Sequence, residues 1–214
     1  MSMDEPVVVM DQFADTAARC GFSDANLPQT ITDSGTVAMI AQPVTGLLML
    51  RASSNMPALS DALKQRCNLP LSSRLHSETH EAYCVRWMAP DNWLLSCPLN
   101  EAFDIEQSLR ADTAGHIAIV NLSGGFSVME LSGRDARSIL MKSTGYDVHP
   151  DHFGAGKVVN TTFAKAQVTL RVIELGESDA RYELIVRRSF SDYLWAWLQR
   201  AGAEYGMTTT RSAS

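Results

Sequence analysis

From residue 37 onward the chain switches repeatedly between two hydrophobic periods. Residues 46–51, Gly-Leu-Leu-Met-Leu-Arg, form a continuous apolar run of strand length. Next, Asn55-Met56-Pro57 predicts a helix start, because proline is tolerated in a first turn. Leu59, Ala62, Leu63 and Cys67 follow at helical spacing, and Leu69-Pro70 ends the helix. Residues 70–81 are polar and predict a loop. Residues 83–88 and 93–97 predict two strands, joined at Ala89-Pro90-Asp91-Asn92 with proline preset for a turn. Asn100 is placed to cap a helix whose apolar face is Ala102, Ile105 and Leu109.

The second half repeats this grammar. Residues 116–122 are apolar enough for a central strand, and Ser123-Gly124-Gly125 predicts a hairpin turn into a strand over 126–131. Ser132 is placed to cap a helix burying Ala136, Ile139 and Leu140. Strands follow at 157–163, 167–173 and 182–187. In the second of these Val168, Leu170 and Val172 alternate with Gln167, Thr169 and Arg171, as in a half-buried strand. Ser189 then caps a last helix carrying Phe190, Leu194, Trp197, Leu198 and Ala201. Helices alternate with strand pairs rather than with single strands. That order predicts an α+β fold of two packed split β-α-β modules with antiparallel sheets. The modules span about 37–115 and 116–205, with the chain free to cross between them. Residues 1–36 read as an irregular arm and 206–214 as a polar tail.

The 214 residues carry 18 basic and 24 acidic side chains, a net charge of −6. That balance argues against nucleic acid as a partner, since phosphate neutralisation needs a clustered cationic surface. No apolar run reaches membrane-spanning length, and the first residues lack a basic, then apolar, secretory pattern. The expected address is the cytoplasm. Cys20, Cys67, Cys84 and Cys97 have no C-x-x-C spacing and read as buried free thiols.

Candidate chemistry is sparse. His76 and His80 stand four apart but in a polar, loop-like setting, without the H-E-x-x-H order of a zinc helix. His149-Pro150-Asp151-His152 is interrupted by proline and lacks further ligands nearby. The glycines after residue 122 precede a strand, whereas a phosphate cradle needs a helix N-terminus there. No G-x-S-x-G elbow occurs. These residues assemble no catalytic, cofactor-binding or metal set. Trp93, Arg187, Arg188 and Trp195 are the candidates for contact with another subunit, since Trp and Arg dominate binding hot spots. The arm before Val37 is a candidate for wrapping a partner.

Four ordered motifs carry a resemblance. Trp87-Met88-Ala89-Pro90-Asp91-Asn92-Trp93-Leu94-Leu95 resembles W-x-x-P-D-E-W-L-L, with Asn92 in place of glutamate. Asn121-Leu122-Ser123 and then 131–140, Leu-Ser-Gly-Arg-Asp-Ala-Arg-Ser-Ile-Leu, resemble D-x-S and L-S-G-x-x-A-R-x-x-L, with Asn121 in place of aspartate. Asp147-Val148-His149-Pro150 with Phe153 resembles D-L-H-P-x-x-F. Tyr182-Glu183-Leu184-Ile185-Val186-Arg187-Arg188-Ser189-Phe190, then Trp197-Leu198, resembles Y-x-L-x-V-x-R-S-F and W-L. Together, over about 46–201, they resemble the gamma subunits of heterotetrameric sarcosine oxidase. The resemblance implies a fold like the folate-binding domains of the glycine-cleavage T-protein. It also implies alpha, beta and delta partner subunits, in a complex that oxidatively demethylates sarcosine to glycine. That complex passes the one-carbon unit to tetrahydrofolate and produces hydrogen peroxide. FAD, FMN, NAD, tetrahydrofolate and zinc are then expected in the partners, and the chain alone is expected to be noncatalytic. Two alternatives stay open: a folate-binding aminomethyltransferase-like enzyme, and a gamma-type subunit of an N-methylglutamate dehydrogenase.

Overall fold

In a computed structural model, the described residues are 36–53, 55–113, 115–176 and 179–211. The arm expected over 1–36 lies, apart from Thr36, outside them, as does Cys20. Eleven strands and four α-helices follow in chain order among these residues. They are β1 (Ala38–Ala41), β2 (Gly46–Ala52), α1 (Met56–Cys67), β3 (Ser77–His80), β4 (Tyr83–Ala89), β5 (Asn92–Cys97), α2 (Ala102–Asp112) and β6 (Ile117–Asn121). Then come β7 (Phe126–Gly133), α3 (Ala136–Ser143), β8 (Val158–Phe163), β9 (Ala166–Leu175), β10 (Ala180–Arg187), α4 (Ser191–Gly202) and β11 (Thr208–Arg211). The fold is α+β with antiparallel sheets, as its strand-pair grammar requires.

The strands form two sheets, ordered β11-β1-β7-β10-β9-β8 and β3-β4-β5-β2-β6. Among the described residues only β1 with β11 is a parallel pair. Strand alternation sorts the side chains into layers. On β10, Tyr182, Leu184 and Val186 join Ile139, Leu140, Leu194, Trp195 and Leu198 of α3 and α4 in one core. On β2, Leu48 and Leu50 join Leu59, Leu63, Ile105 and Leu109 of α1 and α2 in a second. The opposite faces meet: Leu47, Leu94, Val128 and Ile185 pack between the sheets. The order is therefore helices, sheet, sheet, helices.

Several elements differ from their sequence expectation, each for a tertiary reason. The tail expected over 206–214 contains β11. Gly206 turns the chain at φ 64, Met207 is buried, and Thr208 N–H donates to Val37 O at 2.9 Å. Crossing near 115, left open by the sequence, is seen in the sheet orders, where β1 sits among strands of the second half and β6 among those of the first. Residues 70–81 include β3, tied to the far sheet through Ser77 N–H to Gly156 O at 2.8 Å. Strand β9 is not half-buried, because Thr169 and Arg171 on its polar side are covered by the other sheet.

Ser123–Gly125 is a 3-10 turn rather than a hairpin, and it carries the chain from one sheet to the other. Asn121 Oδ1 accepts from Ser123 N–H (3.1 Å) and Oγ–H (2.6 Å), while Ser123 Oγ accepts from Leu47 N–H at 3.0 Å. Both Asn121 contacts use only the carbonyl oxygen, which asparagine shares with aspartate. Neither Asn100, Ser132 nor Ser189 caps a helix. The residues at the caps of α2, α3 and α4 are Glu101, Asp135 and Phe190. On α4 the buried stripe is Ser191, Leu194, Trp195, Leu198 and Gly202. Ser191 Oγ donates to Ser127 Oγ at 2.7 Å, and Met207 fills the space against Gly202. These contacts select that stripe over the neighbouring one through Phe190 and Trp197.

Candidate functional site: a buried ion bridge between the sheets

A buried polar constellation joins three strands from both sheets. Arg86 on β4 is 2% exposed, yet its guanidinium meets Glu183 on β10 through two parallel bonds. Nε donates to Oε1 and Nη2 to Oε2, both at 2.7 Å. Arg171 on β9 approaches the same carboxylate, with Nε to Oε1 at 3.1 Å and Nη2 to Oε2 at 3.4 Å. Remaining donors are also used. Arg86 Nη1 donates to Cys84 O (3.2 Å) and Ser96 Oγ (2.9 Å), and Arg171 Nη1 donates to Thr79 Oγ1 at 3.0 Å. Bidentate geometry of this kind is among the strongest ion pairing available to side chains.

Burial pushes the Glu183 carboxyl upward, but the Arg86 and Arg171 guanidiniums outweigh it and hold the group down at about 2. Burial opposes the charge on Arg86 too, and Glu183 overcomes that opposition, raising Arg86 above its ordinary range. Glu183 and Arg86 therefore stay charged at neutral pH. Two cations share one anion, and the surplus charge is dispersed onto neutral acceptors. Chemically the arrangement fastens one sheet to the other.

The four subunit-contact candidates separate into two kinds. Trp93 is buried in the core of the β3-to-β6 sheet, where Nε1 donates to Ser72 O at 2.9 Å. Trp195 is buried beneath α4 in the other core. Side chains enclosed by their own chain offer no surface to another, which removes both tryptophans as contacts. Arg187 and Arg188 are exposed. They make no ion pair among the described residues. Trp197, outside the expected set, is part-exposed and donates from Nε1 to Ser143 Oγ at 3.0 Å.

The histidines are not gathered. His80 lies within 3.1 Å of Asn68 Nδ2, and the rings of His149 and His152 are 6.4 Å apart on the surface. Among the described residues no group of three or more His, Cys, Asp and Glu is placed to hold a metal ion. No helix of these residues is long and apolar enough to cross a membrane. Cys67, Cys84 and Cys97 are free and buried. Burial pushes the Cys67 thiol up to about 11 and the Cys97 thiol up to about 12. Raised from an ordinary 9.0 to about 11, the Cys67 thiol carries roughly 100-fold less thiolate. Thiol labelling at pH 8 is therefore expected to leave both cysteines unmodified in the folded chain and to modify them in denaturant. Rapid labelling of the native chain would contradict the enclosed core.

Comparison with known proteins places these features in a family. Residues 51–204 match the family described as SoxG: Sarcosine oxidase, gamma subunit family. The sarcosine oxidase subunit gamma of Corynebacterium sp. (strain P-1) is 31% identical over 163 residues, covering 75% of each chain. That of Corynebacterium sp. (strain U-96) is 33% identical over 122 residues, covering 56% of this chain and 57% of its own. Among solved structures, a chain of the heterotetrameric sarcosine oxidase from Corynebacterium sp. U-96 superposes with a TM-score of 0.75 at 24% identity, covering 92% of this chain and 97% of its own. Aminomethyltransferase T of the glycine cleavage system from Bartonella henselae shares the fold at a TM-score of 0.59 and 11% identity, over 82% of this chain and 48% of its own. With the family matched across both sheets, the chain belongs to the sarcosine oxidase gamma subunit family.

Proposed function

We propose that this chain works inside a heterotetrameric sarcosine oxidase as a structural subunit, bound to alpha, beta and delta partners. The reaction is the oxidative demethylation of sarcosine to glycine, with the one-carbon unit passed to tetrahydrofolate and hydrogen peroxide released. FAD, FMN, NAD, tetrahydrofolate and zinc reside in the partners, and the chain's own contribution is noncatalytic. The observation that carries the structural part is the ion bridge. Arg86 and Arg171 both pair with Glu183, at 2.7 and 3.1 Å, and all three are buried and turned inward on one another. Charges committed to joining sheets are not presented to a substrate. Exposed Arg187 and Arg188 remain candidates for partner contact.

Co-expression with the three partners tests this reading. The chain is expected to elute with them from size exclusion at micromolar concentration, in fixed stoichiometry. Elution of the chain alone would sink it.

A further inference from the structure

Strand β6 has the composition of a central strand, Ile-Ala-Ile-Val-Asn, yet it stands at the edge of its sheet. The hydrogen-bond phase shows which of its main-chain groups face outward. Leu122 N–H donates to Leu47 O at 2.7 Å, and the register continues as Met49 opposite Val120 and Arg51 opposite Ala118. In an antiparallel ladder bonded pairs alternate with non-bonded ones. Val120 and Ala118 therefore bond to β2, while the N–H and C=O groups of Ile117, Ile119 and Asn121 point away from it. Two further contacts fix the same phase. Ala52 N–H donates to Asp91 O at 3.1 Å, so even-numbered residues of β2 face β5. Arg110 Nη2 donates to Ile119 O, which must then lie on the open side.

The other edge of this sheet, β3, is tied by Ser77 to Gly156 of the neighbouring layer. The β6 edge has no strand beside it among the described residues. Two exposed apolar side chains stand near it, among polar ones. Val120 is 49% exposed on one face of the strand. Phe103, Glu106 and Arg110 fall at i, i+3 and i+7 on one flank of α2, and Phe103 is 58% exposed. That flank reaches the strand, since Arg110 touches Ile119.

We propose that β6 is a strand-addition site for an extended, apolar segment of a partner subunit, which pairs with Ile117, Ile119 and Asn121 and packs against Val120 and Phe103. This rests on the reading that the chain works in a complex. An edge with outward N–H and C=O groups at every second residue is matched by another extended backbone. The exposed valine and phenylalanine select apolar side chains on that backbone. Arg110, held by Glu106 at 2.9 Å, guards the edge of the free chain and disfavours a second copy. A two-fold β6–β6 pair centred on Ile119 would bring two Arg110 guanidiniums to the same point.

Residue-resolved amide exchange on the isolated full chain and on the assembled complex tests this. In the isolated chain Ile117, Ile119 and Asn121 are expected to exchange fast and Ala118 and Val120 slowly. In the complex the first three are expected to slow at least tenfold. If the chain elutes with the complex while those three amides stay fast, the strand-addition site is overturned and the structural-subunit reading stands. Protection already present in the dilute isolated chain assigns the edge to the chain's own residues, and protection appearing only with a dimeric mass assigns it to a second copy. Either result overturns the proposal. Val120→Lys is expected to weaken association at least tenfold with an unchanged unfolding midpoint, and unchanged association would count equally against it.

Discussion

Replacing Glu183 with alanine is expected to destabilise the chain by about 3–5 kcal/mol, the usual loss when one partner of a buried ion pair is removed. The cause is what remains. Arg86 is 2% exposed and Arg171 8% exposed, so two guanidiniums would lie uncompensated between the sheets. A urea titration followed by circular dichroism measures this directly. A loss below about 1 kcal/mol, the value of an exposed pair, would show that water already reaches the bridge. The contrasting variant replaces all three together, Arg86→Met, Glu183→Leu and Arg171→Met. Because apolar replacement removes the desolvation penalty along with the attraction, this triple change is expected to be near neutral.

The same bridge imposes a pH dependence. The Glu183 carboxyl titrates at about 2 in the folded chain, against an ordinary 4.5. A depressed folded value means that the stabilisation is fully present above pH 4.5. It is lost as pH falls through about 2, where the folded carboxylate takes its proton. The shift corresponds to about 3 kcal/mol. Wild-type stability should therefore fall between pH 4.5 and 2, and Glu183→Gln should remove one proton's worth of that slope. An identical slope in the variant would assign the acid sensitivity to other carboxylates.

Gly133→Ala is the second change with a large expected effect, a loss of about 2–4 kcal/mol. Gly133 ends β7 at φ +116, a region that L side chains rarely adopt. A methyl group there would lie 2.1 Å from Thr36 O and 3.0 Å from Val37 Cα, against backbone rather than a movable side chain. Strand β1, which pairs with β7 and carries β11 beside it, would have to retreat. Amide exchange should show protection lost first in β1 and β11, with β2 and β5 unaffected. Unchanged protection across β1 would mean that the strand is not held by this close approach. The glycine of the L-S-G motif thus has a steric role at the seam between β7 and β1.

Much of the fold was legible in the sequence because local burial leaves a local period. Leu59, Ala62, Leu63 and Cys67 on α1, with Ile105 and Leu109 on α2, are buried as their spacing requires. The turn at Pro90-Asp91 joins β4 to β5 as its proline requires. The ion bridge was not legible. Glu183 sits at a variable position of Y-x-L-x-V, and Arg171 reads as the solvent side of an alternating strand. One signal was present: Arg86 interrupts an apolar strand, and an arginine there must either face water or find a carboxylate. Its partner lies 97 residues away, and no local pattern names it. The two tryptophan contacts failed for a related reason, since composition marks Trp as suited to interfaces without saying whether the chain has already enclosed it.

Periodicity, turn chemistry and four ordered motifs were enough to determine the α+β class, the buried faces of α1, α2 and α3, and the family. Those properties depend on neighbours within a few residues or on the linear order itself. Tertiary structure alone decided which polar strand faces are covered, why Asn121 serves where aspartate is usual, and that 208–211 pair with β1. It also decided that Ile-Ala-Ile-Val-Asn lies at an edge. Each of these depends on which strands become neighbours across long stretches of chain. A two-residue strand period says that a side chain faces one way, but only the partner sheet determines whether water, a carboxylate or another subunit lies there.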